Sequence, residues 1–166
     1  MHLEKLLNIL HYCFYAINVK LYFLFLKVTR LDRIFEIPFL KRRYKKLKQD
    51  PLKYLIYFET NKYSSDSIIN SGGLLVGSIM IIMFSLSFTL KGVYELENNS
   101  LLGLFFIFLI PSFLICYFFV FKKDKYLEYF DEFEKWPRNI KRKNVLLSIG
   151  YVFGVTNFFY WSLFHS

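Results

Sequence analysis

Three long uncharged runs constrain this chain more than any other feature of its sequence. Residues 73–90 read GLLVGSIMIIMFSLSFTL, residues 101–121 read LLGLFFIFLIPSFLICYFFVF, and residues 145–164 read VLLSIGYVFGVTNFFYWSLF. A helix of about 18 residues, rising about 1.5 Å per residue, covers the hydrocarbon core of a bilayer. The sequence therefore predicts transmembrane helices at 73–91, 101–121 and 145–164.

Local residue choices refine these spans. Pro111 falls near the middle of the second run, where it predicts a kink, and the hydroxyl of the adjacent Ser112 is expected to satisfy the carbonyl that proline frees. The third run ends in Tyr160 and Trp161, whose amphipathic rings favour a membrane boundary. A mean hydropathy of +0.31 over 166 residues agrees with one membrane-embedded domain, 1–166.

The first apolar stretch, residues 3–29, allows two interpretations. It is long enough to span, but Lys20 interrupts it. Polar side chains recur along it at spacings of four and three, which places them on one narrow face of a helix. Such a helix could span with its polar face toward the bundle, or lie in the membrane interface. The polar positions are Glu4, Asn8, His11, Tyr15, Asn18 and Tyr22.

The predicted fold class is therefore an all-α membrane protein, with three transmembrane helices, a fourth N-terminal helix that is transmembrane or interfacial, and short cytoplasmic helices. The N-terminal stretch has no small-residue cleavage site, so we expect it to be retained.

Charge distribution predicts the orientation. Residues 27–72 carry 11 basic and 5 acidic side chains, and residues 122–144 carry 8 basic and 5 acidic ones. The short connection 92–100 contains only Glu95 and Glu97 as charged residues. Because positive residues stay on the cytoplasmic side during insertion, we expect both basic segments inside and the acidic connection outside. This predicts an inner or plasma membrane protein with most of its soluble mass in the cytoplasm.

The basic segment 30–72 holds the densest charge. KRRYKKLK, residues 41–48, places six cations in eight positions. With no aromatic platform for single strands and no recognition helix nearby, nucleic acid is not the expected partner. An anionic inner leaflet is the predicted contact. Pro38 and Pro51 predict boundaries between short helices, and residues 61–71 are predicted to be a flexible polar connection. The predicted lipid-facing residues are Lys41, Arg42, Arg43, Lys45, Lys46 and Lys48.

Residues 122–144 are predicted to be a cytoplasmic helix that continues the second span and stops at Trp136-Pro137. Its aromatic edge needs a packing surface, which could be the 39–58 region or another subunit. The aromatic residues are Tyr126, Tyr129, Phe130 and Phe133. Glu128, Asp131 and Glu132 lie close enough on such a helix to suggest a cation or proton site, although a solvated charged helix is the simpler interpretation.

Two small-xxx-small motifs predict helix packing. Gly73 with Gly77, and Gly150 with Gly154, allow close backbone approach, and Asn157 extends the second face as a hydrogen-bonding group. The contact could be within the chain's own bundle or between chains.

Signatures of catalysis or cofactor binding do not occur in the sequence. The three histidines form no ligand cluster, and Walker, H-E-x-x-H and G-x-S-x-G motifs do not occur. Cys13 and Cys116 lie in apolar surroundings and are expected to be buried free thiols. We therefore expect no enzyme activity, no metal and no cofactor.

The sequence favours a non-enzymatic scaffold or accessory subunit of a membrane assembly, docked through its basic and aromatic cytoplasmic helices. Its expected partners are membrane lipids and other membrane proteins or a second copy. The alternative is a small transporter or channel component whose polar pathway follows Asn8, His11 and Asn18 in the first helix.

Overall fold

The computed structural model describes residues 2–46, 50–94 and 101–164, with side chains described there except at 31–32, 90–94 and 101–106. Within these ranges the chain is helical and contains no strand. The α-helices are α1 (His2–Thr29), α2 (Leu31–Phe35), α3 (Pro38–Lys46), α4 (Pro51–Thr60), α5 (Ser65–Tyr94), α6 (Leu101–Cys116), α7 (Lys125–Glu134) and α8 (Arg138–Phe164).

Three helical stretches are long and apolar enough to cross a membrane. They are α1, the stretch Pro51–Thr89 that takes in α4 and most of α5, and α8. The predicted second span coincides with α6 and the helical turns that follow it, where the first six side chains lie outside the described set. The all-helical prediction is confirmed, and length and composition make the chain compatible with a membrane location.

Prolines start two of the short helices, as predicted. α3 begins at Pro38 and α4 at Pro51, and the carboxylate of Asp50 caps α4 by accepting from the backbone N–H groups of Leu52 and Lys53 at 3.2 and 3.3 Å. Proline suits the first helical turn because that turn's N–H groups have no partner within the helix. The run LKYLIYF, residues 52–58, lies in α4.

The predicted flexible connection is mostly helix. Only residues 61–64 interrupt the chain between α4 and α5, where Asn61 accepts from the backbone of Tyr63 through its side chain at 2.9 Å. α5 then begins at Ser65, eight residues before the predicted span. Asp66 in its first turn faces the positive end of the helix dipole, which favours this early start.

The predicted continuous helix from the second span to Trp136 is wrong, because α6 gives way to a π-helical turn at Tyr117–Phe121 and a 3₁₀ turn at Lys122–Asp124. Lys123 and Asp124 adopt left-handed φ angles of 59° and 54°. Two such residues in succession end the α-helical path and start α7 as a separate helix.

The proline in α6 causes no such break. α6 continues through Pro111 to Cys116, and the irregular turns come only after it. The Ser112 hydroxyl donates at 2.7 Å to the carbonyl of Phe108, not to that of Ile107, which the proline leaves without its helical donor. The role predicted for Ser112 is therefore wrong.

Contacts divide the chain into two compact units. One comprises Met1–Phe14 and Gly72–Ser166, and the other comprises Tyr15–Ser71. In the second unit, the Tyr15 hydroxyl donates to the carbonyl of Thr60 at 2.5 Å, and the Phe35 and Tyr44 rings meet edge to face with centroids 5.9 Å apart.

Most of the buried apolar core lies in the first unit, in the first turns of α1, the end of α6 with its π-helical turn, and α7. Its buried apolar residues are Leu7, Leu10, Tyr12, Cys13, Phe14, Leu75, Cys116, Val120, Tyr126, Phe130, Phe133 and Val155. Both cysteines are buried and free, as predicted.

Serines line the inner faces of α5 and α8. Ser78 and Ser85 on α5 are seven residues apart, and Ser148 and Ser162 on α8 lie seven residues on either side of Val155; all five are buried. Each serine hydroxyl donates to a carbonyl of its own helix at 2.7 to 2.9 Å. A small side chain that satisfies its own hydroxyl permits close helix contact in an apolar setting.

Three cross-helix contacts accompany the serine faces. The Tyr151 hydroxyl donates to Ser78 Oγ at 3.3 Å and joins α8 to α5. Ser112 Oγ lies 3.4 Å from Met83 Sδ between α6 and α5. The Phe84 ring on α5 has its centroid 6.3 Å from that of Phe159 on α8.

One glycine that the sequence patterns did not single out sits at a close approach. A Cβ added to Gly72 would lie 2.6 Å from Cζ of Phe121, whereas a Cβ added to the next residue, Gly73, meets nothing within 4 Å. Gly72 therefore lets α5 pass against the π-helical turn.

We predict that Gly72→Leu lowers the stability of the protein by about 1 to 3 kcal/mol through overpacking. Gly73→Leu changes the same residue type in the same helix at an open position and is the matched control, expected to leave stability unchanged or slightly raised. Thermal unfolding in detergent micelles, followed by circular dichroism, measures both. Equal melting temperatures for the two variants would contradict the close approach.

Candidate functional site

A buried cluster of aromatic side chains lies where the first turns of α1 meet α7. His11 is fully buried, and its ring centroid lies 5.1 Å from that of Phe130, 5.3 Å from that of Phe121 and 5.6 Å from that of Tyr126. Aromatic pairs in this distance range contribute about 0.5 to 1.5 kcal/mol each beyond the area they bury. We call these four residues, with Tyr12 and Phe133, the aromatic cluster.

Tyr12 extends the cluster one residue along α1. Its ring meets Phe130 at 5.2 Å and Phe133 at 5.6 Å between centroids, and Phe133 is 4.1 Å from the Trp136 ring. Phe130 and Phe133 have no exposed surface. The partner of the predicted aromatic edge of α7 is therefore α1, and neither the 39–58 region nor another subunit is needed for Phe130 and Phe133.

A buried amide joins α1 to the irregular end of α6. Asn8 is fully buried, and its Nδ2 donates to the carbonyl of Glu4 at 2.8 Å and to that of Phe119 at 3.0 Å. Phe119 lies in the π-helical turn, where carbonyls depart from the regular i to i−4 pattern. The amide therefore supplies a side-chain donor at a point where the α-helical hydrogen-bond ladder changes.

Two ion pairs close the edge of the same contact. Glu4 Oε1 lies 3.2 Å from Lys125 Nζ and 3.4 Å from the hydroxyl of Tyr129, and Lys5 Nζ lies 3.1 Å from Glu132 Oε1. The Lys5–Glu132 side chains are about half exposed, so this pair contributes little to stability and mainly sets register. Each pair thus joins a charged side chain at the start of α1 to one of opposite charge on α7.

The polar face predicted for α1 is inward-facing at its first three positions. Glu4 is half-buried and Asn8 and His11 are fully buried in the first unit, whereas Tyr15 bonds within the second unit. Asn18 is half-buried in the second unit. Asn8 and His11 are packed among aromatic rings and backbone, and the polar pathway through Asn8, His11 and Asn18 stays a prediction.

Among the acidic side chains of α7, Glu132 forms an ion pair with Lys5 of α1. Among the described residues no three histidine, cysteine or acidic side chains come together as a metal-binding group. The suggested cation site at Glu128, Asp131 and Glu132 therefore has no support from the geometry.

The basic residues predicted to face lipid lie on α3 where they are described. Lys41, Arg42, Arg43, Lys45 and Lys46 are all exposed, and Lys48 lies outside the described residues. Tyr44 is half-buried against Phe35, so one side of α3 is attached to the second unit and its cations face outward.

Within the part of the chain that the structure describes, the glycines of both small-xxx-small motifs meet no neighbouring element. A Cβ added to Gly73, Gly77, Gly150 or Gly154 would find nothing within 4 Å. Asn157 is exposed, and its Nδ2 donates to the carbonyl of Phe153 in its own helix at 2.7 Å. On α5 and α8, buried serines instead of these four glycines occupy the inner faces of the described bundle. The glycine faces point away from it.

Sequence reasoning missed Gly72 and the buried serines. The seven-residue spacing of Ser71, Ser78 and Ser85, and of Ser148, Val155 and Ser162, is visible in the sequence and could have identified these inner faces. Gly72 carried no separate signal, because it adjoins Gly73 and differs from it only in what it touches.

Burial at the α1–α7 contact raises the pKa of the Tyr126 phenol, and the negative charge of Asp124 adds to this effect. The pKa of Tyr129 is also raised, by burial first and then by the carboxylate of Glu4, which accepts from its hydroxyl. Both phenols therefore keep their protons to a higher pH than an unperturbed tyrosine does.

Comparisons with known proteins supply no relative. No family model matches this chain, and no curated protein and no solved structure matches it. The assignment of function therefore depends on the chain's own residues.

We predict that Asn8→Leu lowers the free energy of unfolding by about 1 to 3 kcal/mol, because the buried Phe119 carbonyl loses its side-chain donor. Asn70→Leu, at an exposed position where Nδ2 reaches only Glu59 at 3.3 Å, is the control and is expected to change stability by under about 0.5 kcal/mol. Thermal unfolding in micelles measures both. A negligible effect of Asn8→Leu would contradict the role given to the amide.

The raised pKa of Tyr126 predicts alkaline destabilisation. In the unfolded chain the phenol loses its proton near its usual pKa of about 10, while the folded state holds the proton to higher pH. This contribution is fully present below about pH 10 and is lost as the pH rises above that value.

We therefore expect Tyr126→Phe to lose less stability than the unmodified chain between neutral and strongly alkaline pH. Tyr63→Phe, at an exposed tyrosine, is the control and should follow the unmodified chain. Melting temperatures over the alkaline range give the comparison, and parallel curves for all three proteins would refute the prediction.

Proposed function

We propose that this chain is a non-enzymatic membrane protein that acts as a scaffold or accessory subunit by binding the transmembrane helix of another membrane protein. In this proposal α5, α6 with its π-helical extension, and α8 cross the bilayer, with the basic connections on the cytoplasmic side and the connection between α5 and α6 outside. The charge asymmetry of the connections supports this orientation.

The observation that carries the proposal is the outward position of the glycines. Serines already supply the small residues for contact inside the bundle, so Gly150 and Gly154 are not required there. A glycine in a spanning helix leaves a shallow groove that a second helix can enter closely. Asn157, on the same face, has an amide that can also bond across to a partner.

The surrounding face of α8 is suited to such a contact. Leu147 and Trp161 flank the glycines at helical spacing and are 61% and 49% exposed. Their large side chains beside the small residues give the ridge and groove that helix packing uses. We call Leu147, Gly150, Gly154, Asn157 and Trp161 the α8 glycine face.

In this proposal, the cytoplasmic surface that can contact a membrane or a partner is basic. The aromatic edge of α7 is largely occupied by α1, so the outward charges of α3 are what remains of the predicted docking helices. In the proposal these cations hold α3 at an anionic inner leaflet, each contributing about 1 kcal/mol close to the surface.

The proposal predicts that the tagged protein, extracted in mild detergent, migrates as a discrete complex with another membrane protein, and that Gly154→Leu releases that protein. The leucine would fill the groove, and because Gly154 is exposed and a Cβ there meets no described residue within 4 Å, folding should be retained. Thr156→Leu, an exposed position in the same turn but off the α8 glycine face, is the matched control and should keep the complex.

Size-exclusion chromatography with light scattering, followed by mass spectrometry of the peak, decides the outcome. A monomer of the unmodified protein, or a complex that Gly154→Leu and Thr156→Leu leave equally intact, would contradict the proposal. Proteoliposome flux of the unmodified chain that is abolished by His11→Leu with Asn18→Leu would instead favour the transporter alternative.

A further inference from the structure

α1 is a continuous helix of 28 residues, long enough to cross a bilayer. Its N-terminal turns are attached to α7 by two ion pairs. Glu4 lies 3.2 Å from Lys125, and Lys5 lies 3.1 Å from Glu132. With the aromatic cluster between them, these pairs attach the first turns of α1 to α7. The first turns of α1 must therefore lie on the side of the membrane where α7 lies.

The position of α7 in the chain then determines where the other end of α1 lies. α7 follows α6, and α5 and α6 cross the membrane in opposite directions in the proposed arrangement, so α7 is on the same side as the residues that precede α5. Thr29, the last residue of α1, belongs to that preceding segment. The three helices between α1 and α5 have five to ten residues each, too few to cross.

Both ends of α1 are thus placed on one side. A helix that crosses a membrane once has its ends on opposite sides, so contact with α7 and a single crossing by α1 exclude each other. Length and composition alone do not distinguish the two cases, because they make α1 apolar enough for either.

One side of the second half of α1 combines apolar and basic side chains, as a helix lying in an interface does. Leu21, Leu24 and Val28, at spacings of three and four, are 56%, 61% and 73% exposed. Lys20 and Lys27 are exposed beside this apolar face. Apolar side chains next to lysines of this kind insert at the boundary between headgroups and acyl chains, with the cations among anionic headgroups.

We propose that α1 does not cross the membrane but lies along its cytoplasmic surface, with Leu21, Leu24 and Val28 inserted into an anionic leaflet. The inference rests on the span arrangement of the proposed function and on the α1–α7 contact. The occupant of this face is the lipid leaflet, because the lysines are complementary to it and the side chains are apolar enough to enter it.

Sidedness of single cysteines tests the crossing. His2→Cys and Arg30→Cys flank α1, Arg138→Cys marks the connection after α7, and Glu97→Cys, outside the described residues, marks the connection between α5 and α6. Each variant is labelled by a membrane-impermeant maleimide in right-side-out and inside-out vesicles. The unmodified chain, whose two thiols are buried, gives the background.

We expect His2→Cys and Arg30→Cys to be labelled from the same side as Arg138→Cys. Labelling of His2→Cys and Arg30→Cys from opposite sides would overturn the inference, whatever the other positions show. The proposed span arrangement fails separately, if Glu97→Cys and Arg138→Cys are labelled from the same side.

Depth measurement tests the lipid contact itself. A nitrobenzoxadiazole group on Leu24→Cys, in vesicles of phosphatidylglycerol and phosphatidylethanolamine, should lose more fluorescence to lipids spin-labelled near the headgroup than to lipids labelled in mid-chain. Phe153→Cys, exposed in the middle of α8, is the deep control with the opposite order. Two outcomes would overturn the inference. If neither lipid quenches the probe at Leu24→Cys, the face is covered by water, a second copy or another protein. If the quenching follows the order of Phe153→Cys, the face lies deep in the bilayer.

Discussion

The contact between the aromatic edge of α7 and the first turns of α1 is the interaction on which the rest of the first unit depends. α7 follows two residues in left-handed conformations, and its own length of ten residues gives it little stability in isolation. Burial of Phe130 and Phe133 against Tyr12 and His11 supplies what the helix lacks. The same burial removes a large aromatic surface from water and joins the first and last thirds of the chain.

In the long helices, serines and paired glycines occupy different faces. Serines at seven-residue spacing face inward and satisfy their hydroxyls within their own helices, so they add no unpaired group to an apolar core. The glycine pairs meet none of the described neighbouring residues. A glycine needed for packing within the chain is expected in a position like that of Gly72, against a neighbouring ring. The outward glycine pairs are therefore better explained by contact with a partner helix.

Much of the fold follows from the sequence because its strongest signals are local. Long uncharged runs form long helices, and Pro38 and Pro51 start helices for a reason contained in the residue itself. The polar positions Asn8 and His11 were expected to face inward if α1 joined the bundle, and they do. What covers them could not be predicted, since residues more than a hundred positions apart meet there.

The break after α6 had no local signal of the usual kind. Lys123 and Asp124 occupy left-handed conformations without a glycine, and Pro111, where a kink was predicted, lies inside a helix that continues. Tertiary packing of α7 onto α1 offsets the cost of the two strained residues, so the break is visible only once the partner is known. Function was the hardest property to predict from the sequence. The candidate contact surfaces are recognised only by being exposed in the folded chain, and the sequence does not show which residues are exposed.

A cross-link between α1 and α7 in the membrane tests their contact most directly. Lys5→Cys with Glu132→Cys, treated with a short bis-maleimide, should give an intramolecular link that mass spectrometry of the digested chain identifies, because the native side chains meet at 3.1 Å. Lys5→Cys with Trp161→Cys, at the far end of α8, is the control that should not react within one chain. Absence of the first link, with both cysteines reactive to a single maleimide, would contradict the contact on which the account depends.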